Sequence, residues 1–277
     1  MNQTPADWRA HGAALTDLST LSEDTLRACI PVYVNSFNQL TYLKDMLDWL
    51  KRHGFANIYV TDQTSDYPPL LDYYAELEAE GRVRIIRLGE NIGPTAIVWR
   101  ITAAGGPFIF SDPDLTLPEP ADPALLSTLV SLSQTHLCRK VGLALELPSQ
   151  EECRDTRQVT ALGEHGILEW ESQFWENEVA PDIYRAPVDT TFFLWNPAVP
   201  LDHRRIARSL RRRFRPFGLD RLIPEPDACD LRVARAGFLA RHRPWYWNDG
   251  MPEEEARYYT ARAQAWSNWT QAETNRP

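Results

Sequence analysis

Two aspartates separated by one proline, Asp112 and Asp114, follow directly after a short apolar run. The run predicts a buried strand, which places both carboxylates just past its carboxyl end. Pro113 fixes its own φ angle and favours an extended backbone at Asp112, so the bend is stiff. Two carboxylates held this close repel each other unless a cation or several hydrogen-bond donors neutralise them. The motif therefore predicts a divalent-cation site, and an ordinary acidic turn is the alternative.

Polar residues also follow three earlier predicted strands. The four predicted strands span residues 29–34, 57–61, 83–88 and 108–110. The polar clusters after them are Asn35 with Asn38, Asp62 with Ser65 and Asp66, Asn91 with Gly93, and Asp112 with Asp114. Helical patterns separate the strands, and the units repeat about every thirty residues, which predicts a mostly parallel, three-layer α/β sheet. Ligands of such sheets bind at the carboxyl ends of the strands, so the clusters predict one shared site.

The rest of the chain has weaker patterns. Helices are predicted at residues 40–50, 68–80, 94–99, 123–136, 167–176 and 252–269. Residues 140–147 read as a strand, residues 148–162 as a mobile loop, and residues 184–195 as an acidic bend followed by a strand. A hairpin is predicted at residues 231–242. These elements predict a C-terminal hairpin and helix added to the central sheet.

The 277 residues and 43% hydrophobic content suit one large domain or one domain with an elaborated end. We predict a helical preamble at residues 1–27, a ligand-binding α/β half at residues 28–147, and a second half of the same domain at residues 148–277. No stretch is apolar enough to span a membrane, and the polar first residues do not resemble a secretory signal. The four cysteines are widely spaced and match no metal or redox motif, so the prediction is a cytoplasmic protein with reduced thiols.

Charge is unevenly distributed along the chain. The net charge is −9, yet seven arginines and no acid lie between Arg204 and Arg215, within a segment at residues 203–221. This segment predicts contact with an anionic surface, either a membrane that the protein binds peripherally or a nucleic acid. The alternative is a solvated face that pairs with the acidic remainder of the protein. The oligomeric state is not predictable from these patterns.

These motifs together resemble the GT-A-fold glycosyltransferases that use nucleoside-diphosphate sugars, close to the family 2-like bacterial enzymes. The resemblance covers about residues 28–147 and continues more loosely to about residue 250, through the segments around Asp189 and His242. It implies a Rossmann-like, three-layer α/β/α fold with a mostly parallel central sheet.

The resemblance implies a donor site and a metal site. The nucleotide-sugar residues that it implies are Asn35, Phe37, Asp62, Asn91, Gly93 and Asp112. Asp112, Asp114 and His242 match the positions that hold Mn²⁺ or Mg²⁺ in such enzymes, and hard oxygen ligands with one imidazole suit these ions. For His242, a histidine that supports Trp245 and Tyr246 is an equal alternative.

An inverting transferase also needs a carboxylate that takes the acceptor's proton. The Glu-Asp pair that usually supplies it is missing, and Asp189 is in the corresponding place in chain order, with Glu169 and Glu171 as rivals. The missing pair leaves inversion or retention open, although we expect inversion. The acceptor-side candidates are Glu171, Trp170, Trp245 and Tyr246, while aromatic residues in such patterns are more often core.

The sequence therefore predicts a metal-dependent glycosyltransferase with a hydroxyl acceptor, such as a glycan, a lipid-linked sugar or a modified nucleic acid base. A sugar-phosphate nucleotidylyltransferase is one alternative, but the turn after the first strand has no glycine-rich loop. A non-catalytic protein that binds nucleotide sugars or polyanions is the other.

Overall fold

The computed structural model describes residues 17–154, 156–160, 163–200, 229–263 and 269–271, together with residues 206, 207, 210, 211, 213 and 215. Most of the arginine-rich segment at residues 203–221 lies outside the described residues, as do residues 1–16 of the predicted preamble. The contact between that segment and an anionic surface stays a prediction. Within the described part of the chain, no helix combines the length and the apolar character that crossing a membrane requires.

Helices and strands alternate through the first half of the chain. The helices are α1 (Glu23–Cys29), α2 (Leu40–Arg52), α3 (Pro68–Glu80), α4 (Pro94–Ala104), α5 (Leu125–Thr135), α6 (Ile167–Ser172) and α7 (Glu253–Ala263). Short 3₁₀ turns lie at Leu18–Thr20, Gln173–Trp175 and Arg243–Trp245. Ser22 begins α1 by accepting a hydrogen bond from the Thr25 amide, and Gly81 ends α3 in the left-handed conformation. The predicted helices of the first half are confirmed.

Most strands of the described residues form a large mixed sheet, and three form a second, smaller one. The strands are β1 (Val32–Ser36), β2 (Ile58–Asp62), β3 (Val83–Arg87), β4 (Phe108–Ser111), β5 (Leu115–Thr116), β6 (Lys140–Leu145), β7 (Thr156–Thr160), β8 (Gly163–Gly166), β9 (Glu178–Ala180), β10 (Ile183–Arg185), β11 (Phe193–Trp195), β12 (Leu231–Val233), β13 (Leu239–His242) and β14 (Trp269–Gln271). The main order is β3-β2-β1-β4-β11-β6-β12-β10-β9. Strands β1 to β4 are parallel, whereas β11 runs antiparallel to both β4 and β6. The mostly parallel sheet is confirmed.

Both faces of the sheet are buried under helices. Alternate side chains of a strand point to opposite faces. On one face, Val34 of β1 belongs to the same apolar cluster as Leu43 of α2. On the other face, Tyr33 of β1 clusters with Ile97 and Ile101 of α4. Burial of each aliphatic side chain contributes about 1.5–3 kcal/mol, so the two clusters hold the strand ends in place and confirm the predicted three layers.

The chain after β12 departs from the predicted hairpin. Strands β12 and β13 both run parallel to β6, beside residues 141–143 and 144–145, so they follow one edge in succession. Gly237 permits the intervening turn because its φ is 81°, a value that L side chains rarely adopt. A Cβ at Gly237 would lie 2.8 Å from the Asp122 amide nitrogen, so this turn also packs tightly. The hairpin prediction is wrong, and β13 instead reaches β5.

A second, three-stranded sheet has the order β14-β7-β8. The predicted loop at residues 148–162 contains β7, which pairs antiparallel with β8 and with β14. The helix predicted at residues 252–269 is described over Glu253–Ala263, and Trp269, where a helix is predicted, instead begins β14. Both errors have the same cause, because β7 and β14 are distant in sequence and pair through tertiary structure.

Gly142 lies where β6 passes the segment that leads into β11. A Cβ at this position would lie 2.7 Å from Val188 Cγ1 and 2.9 Å from the carbonyl oxygen of Phe192. Because the neighbouring chain has to move to admit a methyl group, we expect Gly142→Ala to destabilise the protein by about 1–3 kcal/mol in urea unfolding. Gly166→Ala is the control, since nothing lies within 4 Å of a Cβ there. Equal stability of the two variants would contradict the close packing.

Candidate functional site

The carboxyl ends of β1, β2 and β4 meet at one edge of the sheet, where a chain of hydrogen bonds joins the polar residues. The amide of Gly93 donates to Gln63 Oε1 at 2.7 Å, and Gln63 Nε2 donates to Asn35 Oδ1 at 2.8 Å. Asn35 Nδ2 then donates to Asp112 Oδ1 at 2.9 Å. Both amide side chains are buried, so each hydrogen bond fixes an orientation without competition from water. These hydrogen bonds hold the loops after β1, β2, β3 and β4 in fixed positions around Asp112.

Asp112 is also held from the opposite side. Thr190 Oγ1 donates to Asp112 Oδ2, and the Asp112 amide donates to the Thr190 carbonyl at 2.8 Å. Burial of the carboxylate, and next the nearby charge of Asp114, raises the pKa of Asp112 to about 8 from its ordinary value of 3.8. The hydrogen bonds from Thr190 and Asn35 oppose this rise without cancelling it. A negative charge on Asp112 is therefore unfavourable at neutral pH until a cation compensates it.

Asp114 and His242 lie side by side next to this carboxylate. The antiparallel pairing of β5 with β13 sets His242 opposite Leu115, and His242 Nε2 lies 3.5 Å from Asp114 Oδ2. The His242 ring packs against Trp245, with ring centroids 4.7 Å apart. Asp114 Oδ1 and His242 Nδ1 are buried and have no hydrogen-bond partner within the described part of the chain. A buried polar atom without a hydrogen-bond partner lowers the stability of the fold unless a ligand provides that partner.

These residues fit a divalent cation that a ligand helps to bind. In the described residues, no group of three or more His, Cys, Asp or Glu side chains is arranged to hold a metal by itself. Both oxygens of Asp112 already accept hydrogen bonds. Asp114 Oδ1 accepts none from the described residues, and this atom is the open oxygen of the pair. Mg²⁺ and similar ions usually take one or two carboxylates and complete their shell with water and phosphate oxygens. The donor set suits such a shared shell and does not form a complete protein cage.

Asp62 lies at the end of β2 and is buried. Its Oδ1 accepts hydrogen bonds from the Ser65 amide at 3.2 Å and from Tyr74 Oη at 3.1 Å. Tyr74 Oη is also hydrogen-bonded to Ser36 Oγ at 2.8 Å, which ties β1 to the same group. Burial raises the pKa of Asp62, although these hydrogen bonds lower it in part. One oxygen of Asp62 thus closes the turn after β2.

The turn after β3 reaches the same edge of the sheet. Asn91 Oδ1 accepts a hydrogen bond from the Gly93 amide at 3.1 Å, so this amide is shared between Asn91 and Gln63. Gly93 has φ of 76°, which lets its N–H turn inward just before α4. Asn91 and Gly93 therefore form part of the strand-end cluster.

Asp189 is exposed at the tip of a segment whose two flanking residues, Val188 and Thr190, are buried. The amide of Val188 donates to Asp230 Oδ2 at 3.3 Å, and Thr190 is held by Asp112. The Asp189 carboxylate lies near enough to Asp112 to add to the rise in its pKa. The segment is therefore fixed at both ends and presents one exposed carboxylate beside the Asp112–Asp114 pair.

Three acceptor-side predictions are corrected by burial. Glu171 is only 3% exposed and accepts a hydrogen bond from the Arg232 guanidinium. Burial raises the pKa of Glu171, and Arg232 opposes the rise. Trp245 and Tyr246 are each 2% exposed and belong to the main apolar cluster, so they cannot form a wall for an acceptor. Trp170 is partly exposed and packs against Phe174 with ring centroids 5.8 Å apart.

Arg232 also supports the Asp189 segment. Its Nε donates to the Pro187 carbonyl at 2.7 Å, while its guanidinium lies over Phe174 at 4.3 Å. The buried Glu171–Arg232 pair therefore acts on the backbone two residues before Asp189.

Three residues at the site were not among the predicted ones. Gln63 follows Asp62 directly in the turn after β2, and it links Gly93 to Asn35. Thr190 follows Asp189 in the predicted acidic bend, and it donates a hydrogen bond to Asp112. Tyr259 on α7 contacts Phe37 with ring centroids 6.3 Å apart, and it carries no local sequence signal because its partner is far away in the chain.

The comparisons with known proteins give partial likenesses. No family model matches the sequence, and no curated protein matches it. The mannosyltransferase PcManGT from Pyrobaculum calidifontis, solved with GDP-Man and Mn²⁺, is 17% identical with a TM-score of 0.35 over 51% of this chain and 41% of that chain. S. aureus TarS, residues 1–349, is 17% identical with a TM-score of 0.32 over 48% and 42%.

GalNAc-T7, solved with UDP, GalNAc and Mn²⁺, is 14% identical with a TM-score of 0.45 over 85% of this chain and 47% of that chain. The matched region thus spans less than half the length of each of these three structures. A likeness at this level concerns the fold and assigns no activity.

The raised pKa of Asp112 predicts how the stability of the folded protein changes with pH. A carboxyl group whose pKa is raised on folding contributes stability that is fully present below its unfolded value, here 3.8, and is lost as the pH rises through about 8. An amide side chain carries no charge at any pH, so we expect Asp112→Asn to be more stable than the native protein in EDTA at pH 8. The expected gain is about 1–2 kcal/mol, since one pKa unit is worth about 1.4 kcal/mol and solvent screens a partly buried group.

Thermal unfolding from pH 4 to pH 9 measures this gain, which should shrink toward the acidic end. The control is Asp72→Asn on the exposed face of α3, which should change little at any pH. A variant at position 112 that is less stable at every pH would contradict the unfavourable charge.

Proposed function

We propose that this protein is a metal-dependent glycosyltransferase, which moves a sugar from a nucleoside-diphosphate donor to a hydroxyl acceptor. The observation that carries the proposal is the hydrogen-bond chain from Gly93 through Gln63 and Asn35 to Asp112, beside the open oxygen of Asp114. A ligand at this edge meets polar groups from four loops and a carboxylate pair that needs positive charge. A nucleoside diphosphate that arrives with a divalent cation satisfies both requirements.

Asp114 and His242 would hold the cation, with Asp112 beside them. A bound Mn²⁺ or Mg²⁺ ion supplies Lewis-acid neutralisation of the charge that develops on the diphosphate leaving group. The imidazole nitrogen favours Mn²⁺ modestly, because Mg²⁺ prefers oxygen ligands.

The donor residues divide into two roles. Phe37 is partly exposed at the end of β1 and offers an aromatic face to a nucleobase. Asn35 uses its Oδ1 and its Nδ2 on Gln63 and Asp112, so its role is to orient Asp112. Asp62 and Asn91 close the turns after β2 and β3, which border the nucleotide in this proposal.

Asp189 is the proposed general base. In the reaction, the bond from the sugar's anomeric carbon to the diphosphate oxygen breaks, and a new bond forms from that carbon to the acceptor oxygen. The acceptor's proton passes to the Asp189 carboxylate, which is exposed and held beside the cation site. Attack from the face opposite the diphosphate inverts the anomeric configuration.

Removal of the Asp114 charge tests the metal and donor site. We expect Asp114→Asn to reduce Mn²⁺-dependent hydrolysis of the preferred nucleotide sugar at least about 100-fold, because the leaving group loses its cation. A panel of UDP-, GDP-, ADP-, CDP- and dTDP-sugars with Mn²⁺, Mg²⁺ or EDTA measures the activity. The thermal stabilisation by Mn²⁺ with the matching nucleoside diphosphate should disappear as well.

Asp72→Asn is again the matched control and should retain both signals, since this carboxylate is exposed on α3. Binding of nucleotide sugar without any turnover would favour the non-catalytic alternative. Formation of a nucleotide sugar from nucleoside triphosphate and sugar phosphate would favour the nucleotidylyltransferase.

Asp189→Asn tests the base separately. We expect transfer to a hydroxyl acceptor to fall about 10²–10⁴-fold, the usual contribution of a positioned proton acceptor, while nucleotide and Mn²⁺ binding stay unchanged. Product NMR on the native enzyme reports the anomeric configuration. Retained transfer in this variant would exclude Asp189 as the base.

A further inference from the structure

The C-terminal helix α7 returns to the candidate donor site. Tyr259, on this helix, is partly buried and packs edge-on against Phe37, with an angle of 65° between the rings. Burial, followed by the charges of Asp114 and Asp112, raises the pKa of the Tyr259 hydroxyl. The side chain therefore contacts the residue proposed for the nucleobase and lies within electrostatic range of the two carboxylates proposed for the cation.

Glu255 fixes α7 to the start of α2. Its carboxylate is 3% exposed and accepts two hydrogen bonds from Thr41, from the amide at 2.9 Å and from Oγ1 at 2.6 Å. Gln39, at the N-cap position of α2, provides no side-chain cap. Glu255 thus supplies from a distant helix the acceptor that the α2 N-terminus lacks, and a negative charge is favourable there.

A second group of contacts fixes α7 to the turn after β2. Arg262 Nε lies 2.8 Å from Asp66 Oδ2, and Tyr258 Oη donates to the Asp66 carbonyl at 2.8 Å. The Tyr258 ring packs on Tyr67, with ring centroids 4.8 Å apart. Helix α7 therefore bridges the loops after β1 and β2, which are two of the loops assigned to the nucleotide.

These contacts limit where a ligand can lie. A molecule that reaches from Phe37 to the Asp112–Asp114 pair comes close to Tyr259, because Tyr259 contacts Phe37 and feels the charges of both carboxylates. An aromatic ring with a hydroxyl at its tip suits the ribose and diphosphate of such a molecule, through ring contact and hydrogen bonding.

We propose that Tyr259 forms a wall of the donor site and contacts the bound nucleoside diphosphate, and that Glu255 positions it by holding α7 against α2. The inference rests on the proposed function, since that function names the ligand. It adds to it a binding residue from the end of the chain.

Titration of the full-length protein with UDP, GDP, ADP, CDP and dTDP in MnCl₂ tests the proposal. Calorimetry on the native protein first identifies which diphosphate binds. We expect Tyr259→Ala to weaken that binding about tenfold and Tyr259→Phe to weaken it by less than about threefold, because Phe keeps the ring. Arg257→Ala, an exposed change on the same helix, should bind like the native protein.

The positioning role of Glu255 is tested by combining its substitution with that of Tyr259. Glu255→Ala should weaken binding by about threefold or more in the native background and by nothing further in the Tyr259→Ala background, since it acts through that side chain. Additive losses would overturn the positioning role. Thermal unfolding of each variant verifies that the protein is folded at the titration temperature.

Three outcomes would contradict the proposal that Tyr259 forms a wall of the donor site. Native-like binding by Tyr259→Ala shows that the ring makes no contact with the ligand. Tighter binding by this variant shows that Tyr259 blocks the site. A native protein that binds none of the diphosphates contradicts the proposed function and this inference together, whereas the first two results contradict the inference alone.

Discussion

The unfavourable charge at Asp112 is the constraint around which the site is built. A partly buried carboxylate beside a second carboxylate holds its proton up to a pH of about 8 unless donors or a cation compensate it. Asn35 and Thr190 each donate one hydrogen bond to it, and those bonds satisfy the oxygens without supplying positive charge. A cation can supply the positive charge that these hydrogen bonds do not.

The rigidity of the surroundings makes that arrangement possible. If the strand ends moved freely, the two acids would separate and the repulsion would relax. They cannot, because β4 is buried between β1 and β11, and because buried side chains such as Gln63 link one loop to the next. Thr190 adds a support from the second half of the chain. The site therefore depends on the packing of the sheet as much as on the acids themselves.

Local patterns predicted the elements whose contacts are local. The amphipathic repeat of α2, the Pro and Gly at the ends of α3, and the polar residues after each strand are visible in short windows of sequence, and all are found in the structure. The errors concern contacts between distant segments. No local pattern indicates that Arg232 lies beside Glu171, or that β13 follows β12 along the same edge of β6. The role of each site residue stays a prediction.

The division of the chain at about residue 147 also stays a prediction, but the contacts of the site cross it repeatedly. Asp112 is held by Thr190, Asp114 lies against His242, and Thr41 is bound by Glu255, a residue 214 positions further along the chain. Each of these contacts joins an element of the first half to a late segment. A candidate site built in this way is complete only when these late segments have folded back, so α7 is as much a part of it as β1.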